Sequence, residues 1–565
     1  MKFHVFWVLG LLLPAIGYTQ LSVTTLMAME TIEEDTRGRT ESAMQMVGPR
    51  NGSATAVVLV RSESGSLENL QATLSPVLNE SNPDANLASL FEIHFATRKR
   101  DLGPNPGDAQ SPHFDALSPE RVDEGAFQPL VLHVPIPADT PPGRYQGQLN
   151  LSANGHQAAI DFQLQVAEFV VPENQDRLGW VDLMQSPDSV AYRYGVPLYS
   201  PEHLKLLEPS MRMLGQLGQR TLMIHPIAET HFGNDESMIP AEGDQVDFSG
   251  LDGYMRLFHE HVGAPHFVLL YAQEPDHNNG IPKFTPPGGE RDGRTEAVTS
   301  GYESHENTWR IMLEGIQSRM ENLGWTESEM ILGWVGDNRA YGDVVKFFES
   351  LVPGIGWVQF THARGDPPPR DGALIVAGMR VAMRILPYAP RGRDLAAGGW
   401  DNPFPELTSV RNNILEDHPP ANFRRLAPYS TSRTNRAFRG FSRIGLDYWP
   451  VSIPNGGEGQ LLGRFARWHN LQRANPRALV APGPKGALPT LRYLNLWEGI
   501  QENEARLLIE KAIAEEKLEG EALENAQAVL ESWREAFGMQ DDTQEIPADF
   551  LERVARLYET AASLQ

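Results

Sequence analysis

Five polar side chains in the middle of the chain each end a short apolar run or follow one closely. They are two carboxylates, one amide and two imidazoles, at His225, Glu274, Asp337, Asn338 and His362. A carboxyl group can exchange a proton with a substrate, and amides and imidazoles hydrogen-bond hydroxyl groups. No Gly-rich phosphate-binding loop lies among them. The set therefore offers acid–base chemistry and hydroxyl recognition.

Two aromatic side chains, Tyr429 and Trp449, stand near the ends of later apolar runs. A pyranose stacks its C–H groups on an aromatic face, while its hydroxyls need hydrogen bonds from polar neighbours. Aromatic rings beside carboxylates and amides favour a sugar as the substrate.

Each candidate also has a purely structural interpretation. Asp337 could cap a helix that begins near Arg339, and Glu274 could belong to a solvated turn in the segment QEPDHNNG. Trp449 could equally fill the core. Arg492 is expected to pair with a carboxylate for structural reasons alone.

The elements that must position these residues alternate between strands and helices from about Leu178 onward. This βα alternation over about 270 residues predicts a (β/α)8-type barrel, whose chemistry collects at the carboxyl ends of its strands. A doubly wound open sheet is the alternative, but no dinucleotide fingerprint follows any strand. The strands are expected at 178–183, 221–227, 267–271, 330–335, 357–360, 374–377, 426–429 and 446–451.

The flanking regions differ in pattern. The first third alternates apolar and polar residues in short runs, and Asn154-Gly155 separates two of them, which predicts a hairpin within a β-sandwich. The last 65 or so residues show helical spacing; a partner-binding coiled coil is less favoured there because Pro547 interrupts any heptad. The expected divisions are a signal peptide at 1–19, a sandwich at 20–175, a catalytic barrel at 176–475 and a helical closing segment at 476–565.

Composition narrows the function. The 565 residues carry a net charge of −25 and no cysteine. The acidic balance argues against nucleic acid as a partner, and the missing cysteine removes thiolate nucleophiles and zinc–thiolate sites. His259 and His261 would point to different faces of a helix, so no metal is expected there, and no cofactor is expected either.

Lys2 and the apolar stretch 3–16 predict export to a bacterial periplasm or exterior, with no membrane span after cleavage. The oligomeric state stays open.

Four segments resemble glycoside hydrolase family 123 and its relatives. PADTPPGRYQGQLNL is similar to that family's Pro-Gly-x-Tyr-x-Gly stretch in an N-terminal sandwich. WRIMLEGIQSRMENLGWTESEMILGWVGDN is similar to the helix, turn and strand that lead into an Asp-Glu-Pro motif. RAFRGFSRIGLDYWPV resembles a late helix followed by a Gly-x-x-x-Trp strand, and ALVAPGPKGALPTLRYLNLWEGIQENEARLLIEKAI resembles the closing signature. The resemblance runs from about residue 130 to 520.

The resemblance implies a β-sandwich followed by a (β/α)8 barrel with β-N-acetylgalactosaminidase-type, substrate-assisted chemistry. In that scheme an Asp orients the substrate's 2-acetamido group, and the neighbouring Glu protonates the leaving oxygen. The Asp falls on Asp337, but the Glu falls on Asn338, which cannot donate that proton. The acid could instead be Glu274, Glu303 or Glu306. The assignment of positions could also be shifted, or the protein could be a carbohydrate-binding relative that does not cleave.

The closing signature is also changed in part. The resemblance places Ala481, Leu494 and Trp497 where the family usually has Tyr, Glu and Arg. Positions that keep the family residue or its type are Arg492, Gly499, Glu502 and Glu504.

Overall fold

The structure is a computed structural model of the whole chain. It describes residues 21–40, 43–63, 65–98, 113–122, 125–228, 234, 236–275, 282–283, 298–335, 342–361, 380–383, 406–409, 419–431, 438–449, 451–452, 461–462, 478–536 and 546–565. No helix among these residues has the length and apolar character needed to cross a bilayer.

The N-terminal region is a pair of packed sheets, as the alternating pattern predicts. One sheet has the order β1-β3-β8-β6-β7, and the other has the order β2-β10-β9-β4, with β5 beside β9. The strands are β1 (Leu21–Leu26), β2 (Ala43–Arg50), β3 (Gly52–Ser62), β4 (Gln71–Leu74), β5 (Leu78–Asn79), β6 (Glu92–Arg98), β7 (Phe114–Ser118), β8 (Phe127–Ile136), β9 (Gly143–Ala153) and β10 (His156–Val170).

The predicted hairpin joins β9 to β10. Asn154 and Gly155 both have positive φ, at 53° and 76°, which is the backbone of a two-residue type I′ turn. The turn sets the register in which His156 lies opposite Ala153 and Leu164 opposite Tyr145. This register turns the apolar side chains of β10 toward the space between the sheets, where Phe162 and Leu164 are buried.

The second region is a sheet of eight parallel strands. The first strand of the chain pairs with the last, and the others follow one another in chain order. Neighbours in the sheet run β11-β21-β20-β19-β18-β17-β15-β12. They are β11 (Trp180–Met184), β12 (Thr221–Ile224), β15 (Phe267–Pro275), β17 (Glu329–Val335), β18 (Gly356–Thr361), β19 (Arg380–Met383), β20 (Glu406–Ser409) and β21 (Phe438–Gly445).

The predicted barrel is confirmed only as a parallel sheet with helical connections. Between the two terminal strands, one isolated parallel bridge joins Val181 of β11 to Gln219, two residues before β12 begins. Within the described ranges that bridge does not extend into a ladder, so closure of the sheet is not confirmed.

Helices and short hairpins occupy the connections. The helices are α1 (Pro187–Tyr194), α2 (Pro201–Leu217), α3 (Ser249–His261), α4 (Val298–Ser304), α5 (Glu306–Asn322), α6 (Gly342–Leu351), α7 (Pro420–Arg424) and α8 (Leu426–Thr431). The short strands are β13 (Ala241–Glu242), β14 (Gln245–Val246), β16 (Pro282–Lys283), β22 (Val451–Ser452), β23 (Leu461–Leu462), β24 (Ala481–Gly483) and β25 (Gly486–Leu488).

Several predicted elements need correction. The segment 426–429 was predicted as a strand but forms part of α8, so Tyr429 lies in a helix and not at a strand end. The last parallel strand is β21, which begins eight residues before the predicted strand 446–451, and Trp449 lies in the connection that follows β21. Strands β19 and β20 were not predicted, and the predicted strand 374–377 lies outside the described residues.

The chain ends in three helices, α9 (Leu491–Ala514), α10 (Gly520–Ala536) and α11 (Phe550–Ala562). The predicted helical closing segment is therefore confirmed. These helices share a core with the sandwich and α7, in which Phe169 of β10 stacks on Tyr558 of α11. The helices thus pack on the sandwich as well as beside the parallel sheet, because their apolar faces meet β10.

Candidate active site

The sheet order brings four of the predicted strand ends together. Strands β12, β15, β17 and β18 are consecutive neighbours, and all run in the same direction. Parallel strands that neighbour one another place their carboxyl ends at the same edge of the sheet. Glu274 lies near the end of one of these strands at this edge. In the sequence, the other three strands are followed by His225, Asp337 and His362. We call this edge of the sheet the carboxyl edge.

Three of the predicted site residues, one catalytic and two substrate-binding, lie just beyond the described strands. Asp337 and Asn338 come two and three residues after Val335, the last residue of β17, and His362 comes directly after Thr361, the last residue of β18. All three lie outside the described residues, so their predicted roles stay predictions.

His225 follows the last residue of β12 and is buried, with 5% of its surface exposed. Its ring centroid lies 6.0 Å from that of Tyr271 on the neighbouring strand β15. Burial lowers the pKa of His225 to about 4. Its imidazole is therefore neutral at neutral pH, so it can hydrogen-bond a ligand but brings no positive charge to the edge.

Glu274 lies within β15, and the prediction that it sits in a loop after a strand ending at Tyr271 is wrong. The strand continues to Pro275, and its last two residues pair with the short antiparallel strand β16, with Glu274 opposite Lys283. This pairing, one residue beyond the pairing of Gln273 with Trp334 of β17, holds the position in regular structure, which a solvated turn would not do. The sequence did not indicate the extension because Pro275 ends the apolar pattern early.

Helix α4 is fixed to the same strand end by Tyr302. The Tyr302 hydroxyl donates a hydrogen bond of 2.7 Å to the carbonyl of Ala272 in β15. Its ring packs against Trp309 and Phe348, with centroids 5.9 and 5.5 Å away. These contacts hold α4 against the strand that carries Glu274.

The other two candidate acids are exposed. Glu303 lies on α4 and Glu306 begins α5, and both side chains face solvent. Glu306 also forms a surface ion pair with Arg310, one helical turn away. Neither side chain has the buried environment that is typical of a general acid.

Two buried carboxylates were not singled out from the sequence. Asp182 on β11 accepts hydrogen bonds from the Ser442 hydroxyl at 3.1 Å and from the Gln219 amide at 3.2 Å. Burial raises the pKa of Asp182 to about 7, against the opposing effect of those hydrogen bonds. A lone Asp within an otherwise apolar strand was the available signal.

Asp447 is the second carboxylate that sequence reasoning missed, although it lies inside the segment RAFRGFSRIGLDYWPV. It is fully buried just past the end of β21 and accepts a 2.8 Å hydrogen bond from the backbone N–H of Ser186. Burial raises the pKa of Asp447, while Ser186, Ser210 and Gln185 beside it act in the opposite sense. Asp447 thus joins the ends of two neighbouring strands, β11 and β21.

Trp449 has the environment of a core residue. Its side chain is 1% exposed, and its indole N–H donates to the carbonyl of Val480 at 2.9 Å. A sugar-stacking platform needs an accessible ring face, so the structure favours the core-filling interpretation. Nothing is described for the side chain of Tyr429.

The closing signature has a structural role. The carboxylate of Glu504 accepts the backbone N–H groups of Leu178 and Gly179, both at 2.7 Å, at the start of the parallel sheet. Arg492 pairs with Asp115 of the sandwich at 2.7 Å, which confirms the structural interpretation of Arg492. These residues hold α9 between the sandwich and the sheet.

A buried ionic cluster completes the same junction. Arg424 of α7 bonds both Glu498 and Glu502 of α9, and its Nε lies 2.8 Å from an oxygen of Glu502. Burial raises the pKa of Glu498 to about 7 in spite of Arg424. Gly499 lies between the two glutamates, where a Cβ would meet the carbonyl oxygen of Arg424 at 2.0 Å. Glycine is therefore required for α7 and α9 to approach.

No group of three or more His, Asp and Glu side chains that could hold a metal occurs in the part of the chain that the structure describes. His259 and His261 lie on α3, as predicted, and His259 accepts the Trp325 indole N–H at 2.9 Å.

Residues 184–354 match the family model described as glycoside hydrolase 123, catalytic domain. A family 123 glycoside hydrolase from Clostridium perfringens, analysed for glycolipid glycan hydrolysis, is similar in structure over 96% of this chain and 98% of its own. The TM-score is 0.64 and the sequence identity 14%. No curated protein matched the sequence.

Other solved structures are similar only in part. A putative alpha-galactosidase/melibiase from Bacteroides fragilis covers 59% of this chain and 53% of its own at 8% identity, with a TM-score of 0.17. The MyfA fimbrial subunit from Yersinia enterocolitica covers 26% of this chain and 99% of its own at 8% identity, with a TM-score of 0.15. These scores carry no argument about this protein.

The matched family region begins at the end of β11 and ends after α6. It contains His225, Glu274, Asp337 and Asn338, whereas His362, Tyr429 and Trp449 fall outside it. The match of residues 184–354 to the family 123 catalytic-domain model confirms the resemblance that the sequence motifs predicted, and it supports the assignment as a glycoside hydrolase.

Proposed function

We propose that this protein hydrolyses the glycosidic bond of a 2-acetamido sugar in a glycan, with Asp337 and Glu274 as its catalytic residues. The observation that carries the proposal is the order of the sheet. The strand that ends before Asp337, β17, is the direct neighbour of β15, which carries Glu274, and both lie in the family catalytic domain. Neighbouring strands are about 4.8 Å apart, which suits two carboxyl groups that share one substrate.

The proposed reaction uses the substrate's own acetamido oxygen as the nucleophile. That oxygen attacks the anomeric carbon while the bond to the leaving oxygen breaks, and the leaving oxygen takes a proton from a carboxylic acid. Asp337 stabilises the positive charge that develops on the acetamido group. Water then opens the cyclic intermediate, its proton returns to the carboxylate, and the sugar is released with retained configuration.

Glu274 is the proposed acid because the position next to Asp337 is an amide. Asn338 can hydrogen-bond a sugar hydroxyl but has no proton to give. Glu303 and Glu306 are exposed, and Glu306 is already paired with Arg310. Glu274 is held in regular backbone structure at the carboxyl edge, opposite Lys283 of β16.

The test is a set of three glutamine variants with two classes of substrate. Glu274→Gln should lower kcat on an unactivated glycan by at least about 100-fold but retain activity on aryl glycosides whose leaving group needs no proton. Glu303→Gln and Glu306→Gln are matched controls on the neighbouring helices and should stay within about twofold of the wild type. Full activity of Glu274→Gln on the glycan would show that Glu274 is not the acid.

Asp337→Asn tests the other half of the mechanism. It should lower kcat by at least about 100-fold on 2-acetamido substrates, because it removes the charge that stabilises the transition state. Equal wild-type turnover of matched substrates with a free 2-hydroxyl would contradict substrate assistance.

Asn338 supports a second candidate function, a carbohydrate-binding relative that does not cleave. On that hypothesis the wild type binds glycan without turnover, and Asn338→Glu gains hydrolytic activity. A wild type that cleaves an unactivated glycan rules this alternative out.

We also propose that the chain is exported and that its parallel sheet forms a barrel. The predicted cleavage range, 17–20, ends just before β1, whose first residue, Leu21, lies opposite Ser62 of β3. Cleavage there would leave the sandwich intact. Intact-mass analysis of protein from a bacterial periplasm should show loss of about 17–20 residues, and a retained Met1 would contradict export.

The bridge between Val181 and Gln219 is the observation that favours closure of the parallel sheet into a barrel.

A further inference from the structure

A cavity of about 620 Å³ lies where the sandwich meets α11, away from the carboxyl edge. Three parts of the chain wall it: strands β2, β9 and β10 with adjoining residues of β1 and β3, the helices α7 and α11, and the segment between β1 and β2. Among the described residues, no strand of the parallel sheet lines it. We call this cavity the arginine groove, because Arg39, Arg144 and Arg556 each line a different one of these walls.

The walls of the arginine groove are held in place. Phe169 of β10 stacks on Tyr558 of α11, with ring centroids 5.8 Å apart. The side chain of Gln565 bonds both the N–H and the carbonyl of Val170, at 2.9 and 2.6 Å. The third wall is fixed where Arg39 and Thr25 exchange backbone hydrogen bonds of 2.8 and 3.0 Å. The groove therefore exists in the folded protein without any rearrangement.

The floor of the groove is a strip of amides. Gln163 lies opposite Gln45 in the parallel pair of β10 and β2, and Gln165 lies between Val47 and Arg144. These side chains share the outer face, because the residues between them, such as Leu164, belong to the sandwich core. An amide donates and accepts hydrogen bonds at once, as a sugar hydroxyl requires. The neighbouring Val47 and Leu551 offer small apolar surfaces for the C–H side of a ring.

The charged groups of the groove are available for a ligand. Arg144 and Arg556 are exposed and form no ion pair among the described residues, and Arg39 has only a distant pairing with Glu30, at 3.8 Å. Glu552 and Glu559 also line the groove, and neither lies within ion-pair distance of these arginines. Four arginines and two glutamates line the groove, on a chain with a net charge of −25. Of the four arginines, Arg424 is already paired with Glu498 and Glu502, which leaves three for a ligand. The arginine fork matches a carboxylate or sulfate group in two hydrogen bonds.

We infer that the arginine groove is a second glycan-binding site, which takes a saccharide carrying carboxylate or sulfate groups. The amides and glutamates would bind its hydroxyls, and Arg144 and Arg556 would bind its anionic substituents. Binding there would hold a charged glycan on a protein whose overall charge repels it. The inference goes beyond the proposed hydrolysis, because binding in the groove requires no cleavage.

The test measures affinity of the full chain for chondroitin sulfate, with neutral dextran as the comparison glycan, at about 0.15 M salt. The wild type should bind chondroitin sulfate and not dextran. Arg144→Gln with Arg556→Gln should weaken binding about tenfold or more, because two charge-assisted contacts are lost. Both residues are exposed, so the variant should fold. Its kcat on a small aryl glycoside should equal that of the wild type.

A double variant with the same charge change serves as the control. Arg212→Gln with Arg256→Gln removes two exposed arginines from α2 and α3, far from the groove in the chain, and should leave affinity within about twofold.

The inference fails if the wild type does not bind chondroitin sulfate, if the groove variant binds it unchanged, or if the control loses as much affinity. Equal competition by polyglutamate would show a general anion site instead of a glycan site. Loss of hydrolysis in Glu274→Gln with binding retained would separate this inference from the proposed function.

Discussion

Replacing Gly499 by alanine should destabilise the protein, although alanine is the better helix former. Within an exposed helix the change would gain about 1 kcal/mol. At this position the new Cβ would lie 2.0 Å from the carbonyl oxygen of Arg424 and 2.7 Å from its carbonyl carbon. These are backbone atoms of α7, so no side chain can rotate away. Helices α7 and α9 must therefore separate.

The expected magnitude follows from what that separation disturbs. Overpacking alone costs about 1–3 kcal/mol. Arg424 also holds two buried glutamates, and losing such a pair costs about 3–5 kcal/mol. After the helix gain is subtracted, the net loss should be at least about 2 kcal/mol, which lowers the melting temperature by about 4 °C or more.

The assay is thermal unfolding of Gly499→Ala beside Gly253→Ala as a matched control. Gly253 is also within a helix, α3, but its nearest neighbour is the end of the Leu204 side chain, at 2.5 Å, which can turn aside. The control should stay within about 1 kcal/mol of the wild type. A Gly499→Ala protein that melts at or above the wild-type temperature would refute the packing argument.

Three further predictions concern buried charges. Arg424→Met should destabilise by about 3–5 kcal/mol at neutral pH, and the deficit should shrink in acid as Glu498 and Glu502 take up protons; a deficit independent of pH would contradict it. Asp182, with its pKa raised to about 7, binds its proton more tightly in the folded state, so its contribution to stability falls as pH rises from about 4 to 7. The melting temperature of Asp182→Asn relative to the wild type should therefore rise across that range, and a constant difference would refute the shift. Glu504→Gln should lower the melting temperature, because one of two carboxylate oxygens at the start of β11 becomes an N–H donor facing another donor.

Much of the fold could be predicted from local pattern. Asn154-Gly155 specifies its hairpin because both residues accept positive φ. The runs that became β15, β17 and β18 were visible because strands buried on both faces are continuously apolar. One of the four segments that carried the family resemblance contains β17, and the match over residues 184–354 confirms that resemblance.

The later strands could not be predicted in the same way. Strands β19 and β20 are four residues each and carry Arg380 and Glu406, so they lack the apolar run that marked the earlier ones. The segment 426–429 is apolar and short, and length alone could not separate a strand from the buried helix α8. Their places in the sheet come from pairing with neighbours far away in the chain.

The sequence by itself determined which residue types are available: Asp337 beside an amide at 338, no cysteine, and carboxylates spaced along apolar runs. Only the tertiary structure decided which of those groups are buried and which therefore have a shifted pKa. Asp182 and Glu303 are both single acids in the sequence, yet one is enclosed by Ser442 and Gln219 from distant strands and the other faces water. The pKa of an acid depends on the dielectric and the dipoles around it, which belong to residues brought together by folding and not to its neighbours in the chain.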